Sequence, residues 1–240
     1  MNVRDKMITA SVMLLAAVVA GTVGMVVNRE RIVTTTNYIT DVTEKEEENL
    51  NVDGTDSPKI AITFDDGPHP CYTQQLLDGL KDRGVKATFF VTGEHAEQYP
   101  DIIRRMNEEG HLIGNHTYSH IQLSNGNRQT YKEELIQTNE IISHITGREV
   151  LFVRPPYGSW DKSLEKDLNM FPVLWNIDPL DWCSDNVSCI VTKVCSKAGE
   201  NDIILMHDCY DSSVTAALQI VDELTAQGYE FVTVDEILFD

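Results

Sequence analysis

The chain has 240 residues, 38 acidic against 19 basic side chains, and a formal net charge of −19. A hydrophobic content of 42% is enough to build a core, which excludes a wholly disordered chain. The charge, and the lack of any basic stretch in the sequence, exclude a protein that binds nucleic acid by neutralising phosphates, so no nucleic-acid partner is expected. The length indicates one domain with appended segments, or two small domains.

The N-terminal part of the sequence is not typical of a folded domain. Residues 7–27 carry no charge and are enough to cross about 30 Å of hydrocarbon. This run predicts an uncleaved signal-anchor, with a cleaved secretory signal, or a cytosolic protein with an unusual first helix, as alternatives. Residues 28–57 are polar and acidic and predict a flexible linker. We therefore expect an anchor or signal over 1–27 and a folded domain over 58–240.

From residue 58 onwards, short β-rich runs alternate with helical stretches. The runs predict strands at Ile60–Phe64, Ala87–Val91, Leu112–Gly114, Leu151–Val153, Val173–Ile177, Ile203–Met206 and Phe231–Val234. Apolar residues at helical spacing predict helices at Thr73–Arg83, Tyr99–Glu109, Thr130–Thr146 and Ser213–Gln227. No glycine-rich dinucleotide or phosphate loop follows the first strand. The pattern therefore favours an α/β fold, a distorted (β/α) barrel of about seven parallel strands, over an open sheet.

The five cysteines form no C-x-x-C pair, so neither a zinc ribbon nor a thioredoxin motif is expected. Three of them fall between residues 183 and 195, where one disulfide could form in an exported chain. The alternative is that the cysteines are small buried apolar residues. They give no information about function.

Polar side chains follow several predicted strands, at the point where each strand ends. They are Asp65 and Asp66, His116 and His120, Arg154, Asp178 and Asp181, and His207. Each has a structural explanation on its own, since Asp-Asp-Gly-Pro is a good turn and two histidines four residues apart are a common accident. Because the carboxyl ends of parallel strands meet at one side of such a fold, the coincidence predicts a common site.

These residue types fit one kind of chemistry. His116 and His120 have the spacing that places two imidazoles on one face of a helical turn, within reach of one metal. One carboxylate, from Asp65 or Asp66, would complete a catalytic set open to water, whose pKa the metal lowers to roughly 7. The other carboxylate would stay free to accept a proton. An arginine can hold that carboxylate ionised, and a further aspartate can hold a histidine protonated for the leaving group. The set predicts metal-assisted hydrolysis of an amide or ester.

Five motifs in order give the sequence a family resemblance. They are TFDDGP at 63–68, HTYSH at 116–120, RPPYG at 154–158, DPLDW at 178–182 and LMH at 205–207. Over residues 58–240 the chain resembles the polysaccharide deacetylase family, also called the NodB-homology or carbohydrate esterase family four domain, and above all its bacterial peptidoglycan N-acetylglucosamine deacetylases. The resemblance implies a distorted (β/α) barrel with a groove across the metal face.

The resemblance also implies catalytic roles for the motif residues. Asp65 is expected to be the catalytic base, oriented by Arg154. His207 is expected to be the general acid, tuned by Asp181. For Asp178 a role in the site and simple support of its loop are both open.

Metal and substrate residues are implied in the same way. One divalent ion, zinc in the first place with cobalt, nickel or manganese as alternatives, is expected to bind to Asp66, His116 and His120. The backbone N–H of Tyr157 is expected to bind the oxyanion, and Trp182 and Leu205 to wall the pocket for the acetyl methyl group. Pro155 completes the expected substrate-binding residues.

The function implied is a metal-dependent hydrolase that removes N-acetyl groups from a cell-wall polysaccharide. A membrane tether and a linker favour a polymer just outside a bacterial cell, hence N-acetylglucosamine of peptidoglycan. The expected location is the extracellular face of the membrane, or the medium if the first segment is cleaved. O-deacetylation of xylan-like esters, deacetylation of chitin oligosaccharides and non-catalytic carbohydrate binding are the alternatives. The partners expected are the acetylated polymer and the membrane, with no obligate protein partner.

Overall fold

The strongly apolar run KIAITFD forms the central strand β1 (Lys59–Asp65). Residues 60–64 are at most 1% exposed, because other elements cover both faces of a parallel sheet. All of the neighbours of β1 pair with it in parallel, and they are β2 (Thr88–Val91), β6 (Asp202–His207) and β7 (Glu230–Phe231). β1 is therefore the strand around which the fold is organised.

The remaining strands extend the sheet beyond β2. They are β3 (Leu112–Asn115), β4 (Phe152–Val153) and β5 (Phe171–Pro172), all parallel. The order is β5-β4-β3-β2-β1-β6, with β7 paired to β1. A bridge between Ile177 and Ile204 joins the segment after β5 to β6, so the sheet curls back on itself. The expected distorted (β/α) barrel of parallel strands is confirmed.

The computed structural model describes residues 57–123, 127–162, 164 and 168–239. The expected anchor or signal over 1–27 lies outside these residues, as does the linker up to residue 56. Among the described helices, none combines the length and the apolar character needed to cross a membrane.

The fifth predicted strand, Val173–Ile177, is wrong as a continuous strand. At its start the Val173 N–H donates to the Val153 carbonyl of β4 at 2.8 Å. At its end the Ile177 carbonyl accepts from the Leu205 N–H of β6 at 2.9 Å. The segment changes its partner from one side of the barrel to the other, so it closes the sheet without forming one ladder.

The helices pack around this sheet. In chain order they are α1 (Tyr72–Asp82), α2 (Gly93–Gln98), α3 (Pro100–Glu108), α4 (Arg128–Thr146), α5 (Val187–Cys195), α6 (Asp211–Ala226) and α7 (Val234–Phe239). The four predicted helices are confirmed as α1, α3, α4 and α6, and α4 ends at Gly147 in the left-handed conformation (φ 71°). The sequence pattern missed α2, α5 and α7, which are short.

The last predicted strand, Phe231–Val234, is also too long. β7 ends at Phe231, and Thr233 lies at the start of α7, where its N–H donates to Glu236 Oε1 at 3.2 Å. This is the hydrogen bond of a capping box, which competes with the β preference of the valines around it.

The cysteines differ from both expectations. All five lie in the described part of the chain and all are free thiols, so the disulfide expected between residues 183 and 195 is absent. Cys71, Cys183 and Cys189 are exposed, which also makes the alternative of buried apolar residues wrong for these three.

Candidate active site

The strand register brings the predicted site residues to one end of the barrel. Asp65 at the end of β1 lies beside His207 at the end of β6. Asn115 and Val153 are paired at the ends of β3 and β4, so His116 and Arg154 leave the sheet side by side. Because all these strands run in parallel, their next residues enter the same space.

Asp66, His116 and His120 converge on one point. Asp66 Oδ1 lies 3.2 Å from Nε2 of His116 and 3.2 Å from Nε2 of His120. His116 Nδ1 donates to the Arg154 carbonyl at 2.6 Å, so in the neutral ring the lone pair is on Nε2, which faces the carboxylate. Asp66 Oδ1 is buried and has no hydrogen-bond partner among the described residues. Lone pairs that face a buried carboxylate oxygen repel it unless a cation lies among them, so this donor set fits a metal ion.

The protonation states of the group also suit a cation. Burial would raise the pKa of Asp66, but the imidazoles of His116, His120 and His207 around it lower it to about 2. Burial lowers the pKa of His120, although the charge of Asp66 opposes this. An ionised carboxylate and a neutral imidazole are the forms that ligate metals.

The two histidines reach this point from a loop and not from a helical turn. Residues 116–120 contain no helix, and Thr117 and His120 have φ values of 64° and 57°. These left-handed residues break the geometry that places positions four apart on one helix face. The predicted helical turn is wrong, although the imidazoles still meet.

Asp65 lies beside this group and is held by Arg154. Arg154 Nη1 donates to Asp65 Oδ1 at 2.9 Å and to Thr63 Oγ1 at 2.5 Å. The other oxygen of Asp65 lies 3.8 Å from His116 Nε2. The guanidinium is fully buried, with Cζ 4.2 Å from the centre of the Phe90 ring. Burial lowers the pKa of Arg154, and the charge and hydrogen bond of Asp65 oppose this.

His207 is held on the other side by Asp181. The two Asp181 oxygens accept from the His207 backbone N–H and from its Nδ1, each at 2.9 Å. His207 Nε2 lies 4.0 Å from Asp66 Oδ2. Burial alone would lower the pKa of His207, but the hydrogen bond and charge of Asp181, with the charges of Asp65 and Asp66, raise it to about 9. The imidazole is therefore protonated at pH 7 and can give up a proton from Nε2.

These groups open into a cavity of about 370 Å³. Its lining residues are Asp65, Asp66, His116, His120, Tyr157, Trp175, Asp178, Trp182, Leu205, His207 and Tyr210. Arg154 and Asp181 are buried behind it and touch the lining carboxylate and imidazole. The predicted Pro155 is buried and does not line the cavity. Asp178 Oδ1 accepts from the Leu180 N–H at 2.8 Å, as expected of a residue that supports its loop.

Tyr157 is the most exposed of the predicted residues, at 69%. Its backbone is left-handed (φ 60°), and its ring stands edge-on to His120 with the ring centres 4.9 Å apart. The structure thus places Tyr157 beside the metal group, while the role of its backbone N–H stays a prediction.

Three residues near the site were missed by the sequence reasoning. Trp175 lies in the segment predicted as a continuous strand, so its side chain was not considered. Tyr210 follows the end of β6 and could have been found by the same strand-end rule as His207. His95 comes from the unpredicted helix α2 and donates from Nδ1 to the Asp66 carbonyl at 2.7 Å. That contact supports a residue whose φ is 73°.

The fold and the site define a class: a parallel (β/α)-barrel protein with a candidate Asp-His-His metal centre at the carboxyl ends of its strands. Within this class, residues 53–173 match the family model described as polysaccharide deacetylase. The chain belongs to the polysaccharide deacetylase family, and the resemblance drawn from its motifs is confirmed.

Proteins of similar sequence are named as peptidoglycan deacetylases. The chain is 44% identical to peptidoglycan-N-acetylmuramic acid deacetylase PdaC of Bacillus subtilis (strain 168) over 74% of this chain and 38% of that protein. It is 40% identical to a peptidoglycan-N-acetylglucosamine deacetylase of Bacillus cereus over 73% of this chain and 66% of that protein. It therefore spans between 38% and 66% of the length of these relatives.

A solved structure has the same fold. The structure of peptidoglycan deacetylase PdaC from Bacillus subtilis superposes with a TM-score of 0.74 at 41% sequence identity. The match covers 76% of this chain and 91% of that one.

Proposed function

We propose that this chain is a metal-dependent deacetylase that hydrolyses N-acetyl groups of peptidoglycan, with N-acetylglucosamine as the sugar. One observation carries the proposal. A carboxylate held by a buried arginine and an imidazolium held by a buried aspartate lie on either side of one Asp-His-His group. This arrangement provides a base and an acid within one cavity, which is what amide hydrolysis requires.

The proposed metal residues are Asp66, His116 and His120, with zinc as the ion and cobalt, nickel or manganese as alternatives. When bound, a divalent cation would polarise the acetyl carbonyl and make an adjacent water more acidic. Asp65 is the proposed base, because its carboxylate lines the cavity. In this role it would accept a proton from the attacking water. Arg154 donates to that carboxylate and fixes its direction.

The acid step belongs to His207. Its Nε2 proton would pass to the amide nitrogen as the C–N bond breaks, so that acetate and a free amine leave the site. Asp181 keeps the imidazole protonated and oriented until that moment. The backbone N–H of Tyr157 is the proposed donor to the oxyanion, a contact typically worth about 3 kcal/mol. Trp182 and Leu205 line the cavity and are proposed to enclose the acetyl methyl group.

Peptidoglycan is the proposed polymer because the relatives described above are named as peptidoglycan deacetylases. Those names differ in the sugar, since one specifies N-acetylmuramic acid and the other N-acetylglucosamine. N-acetylmuramic acid is therefore the second candidate. Chitin oligosaccharides and O-acetylated xylan are the remaining alternatives.

The test is acetate release by the full chain from peptidoglycan, chitin oligosaccharides and acetylated xylan. Each reaction is run as prepared, with a chelator, and after zinc or cobalt is added back. We expect release from peptidoglycan that stops on chelation and returns with the metal. Mass spectrometry of muramidase fragments then locates the free amine on glucosamine or on muramic acid. A chain that keeps its affinity for the polymer under chelation and never releases acetate would instead be a binding protein.

The proposed location is the extracellular face of a bacterial membrane, with secretion if the first segment is cleaved. This proposal rests on the uncharged run at 7–27 and the acidic segment at 28–57, both read from the sequence. N-terminal sequencing of the chain from membrane and medium fractions tests it, because cleavage removes the run.

A further inference from the structure

The loop that carries both histidines of the metal group is held in an unusual conformation. Thr117 and His120 are left-handed at φ 64° and 57°, and neither is a glycine. Such residues are strained and persist only where the surroundings fix them. Contacts from outside the loop must therefore hold it.

The start of the loop is fixed from within the core. Asn115 is fully buried, and its Oδ1 accepts from the Thr117 N–H at 2.7 Å. Its Nδ2 donates to the Leu135 carbonyl at 2.8 Å and to Asn139 Oδ1 at 2.7 Å, both on α4. These bonds anchor the part of the loop next to His116.

The end of the loop is held by one carboxylate of the same helix. Glu134 accepts two hydrogen bonds from Ser119, from the backbone N–H to Oε2 at 2.7 Å and from Oγ to Oε1 at 2.8 Å. Ser119 immediately precedes His120, so these bonds fix the backbone from which that imidazole projects.

The two histidines differ in how their rings are oriented. A metal-ligating histidine usually donates its second ring nitrogen to a protein acceptor. His116 does so, to the Arg154 carbonyl. Within the described part of the chain no hydrogen bond holds the second ring nitrogen of His120, and its side chain is 31% exposed. The direction of His120 therefore depends on the ring of Tyr157 that packs against it and on its own backbone, to which Glu134 is bonded through Ser119.

We propose that Glu134 is a positioning residue for His120 and that it sets the affinity of the Asp66, His116 and His120 group for its metal. This inference rests on the metal centre of the proposed function. It also gives α4, which carries no residue of the sequence motifs, a direct part in building the site.

The test is the zinc dissociation constant of the full chain, measured by competition with a chromophoric chelator. Glu134→Ala removes both acceptors and is expected to weaken zinc binding by about 10- to 100-fold. Glu134→Gln should restore affinity, because its amide can accept from the Ser119 N–H and donate to Oγ. The matched control is Glu133→Ala, an exposed neighbour whose carboxylate accepts from Gln129 on the same helix, and it should bind zinc as the wild type does.

Unchanged affinity in a folded Glu134→Ala variant would overturn the proposal, as would a loss in Glu134→Gln equal to that in Glu134→Ala, which would point to charge alone. If Glu134→Ala does not fold, Ser119→Ala decides, because it removes one of the two bonds and should weaken zinc binding roughly fivefold. Wild-type affinity in that variant would then overturn the proposal. A wild-type chain that binds zinc and releases no acetate contradicts the proposed function and leaves this comparison intact.

Discussion

On each side of the site a buried charged side chain holds a group that lines the cavity, and the two buried charges have opposite signs. On one side a buried cation, Arg154, holds a carboxylate; on the other a buried carboxylate, Asp181, holds an imidazole. Both partners are 0% exposed, whereas the groups they hold line the cavity. In the proposed mechanism the buried partner fits each group to its role, Asp65 to accept a proton and His207 to donate one. The proposed base and the proposed acid therefore differ in the charge of the buried partner behind each of them.

Replacing the proposed base, Asp65, should have the largest effect on this comparison. Asp65→Asn keeps the shape of the side chain but cannot accept a proton, so we expect turnover to fall by about 10²- to 10⁴-fold. The metal residues are untouched, so zinc should still bind at one ion per chain. Acetate release and metal content measured on the same preparation check both expectations. A variant with bound zinc and wild-type turnover would remove Asp65 from the role of base.

Removing the proposed acid, His207, should have a smaller effect that depends on the leaving group. His207→Ala should slow amide cleavage by about 100-fold, the lower end of the range for general acids. An activated aryl ester should be much less affected, because a phenolate leaves without a proton whereas an amine does not. Parallel rates on the two substrates provide the measurement. Equal losses on both would count against proton donation by His207.

Changing the partner of the acid should alter the pH dependence most and the maximal rate least. Asp181→Asn removes the charge that raises the pKa of His207 to about 9, so the alkaline limb of the rate profile should move to lower pH. For each unit by which the pKa of His207 falls, the protonated fraction at a pH above that pKa falls about tenfold. A limb at the same pH in both proteins would show that another group titrates there.

The same variant has an effect on folding with a defined sign. Because the pKa of His207 is raised from 6.5 to about 9 in the folded state, its contribution to stability is complete below about pH 6.5 and is lost as the pH rises through about 9. The difference in unfolding free energy between wild type and Asp181→Asn should therefore shrink between these values. Denaturant unfolding at several pH values measures it, with Glu133→Ala as the control that should show no such trend.

The sequence predicted which residues meet at the site better than it predicted the local conformation of the segments that carry them. Asp65, Asp66 and His207 could be placed because they directly follow apolar runs whose parallel ends must meet. The spacing of His116 and His120 suggested a helix, because a pattern of residue types does not contain the left-handed φ values of the loop.

Contacts made across the fold could not be predicted in the same way. Glu134 lies on an amphipathic helix and has no local signal that distinguishes it from Glu133 beside it. His95 comes from a helix too short for a periodic pattern. The segment Val173–Ile177 was misassigned because its two ends bond to different strands, which depends on how the barrel closes.

Arg154 serves two parts of the site with two different parts of its own structure. Its guanidinium holds Asp65, while its backbone carbonyl accepts from His116 Nδ1. A substitution can remove the first contact but not the second, since every amino acid supplies a carbonyl. Arg154→Met should therefore impair the base while the orientation of His116 is kept. Side-chain substitution therefore cannot test the backbone contact of residue 154, because that contact depends on the path of the chain and not on the side chain.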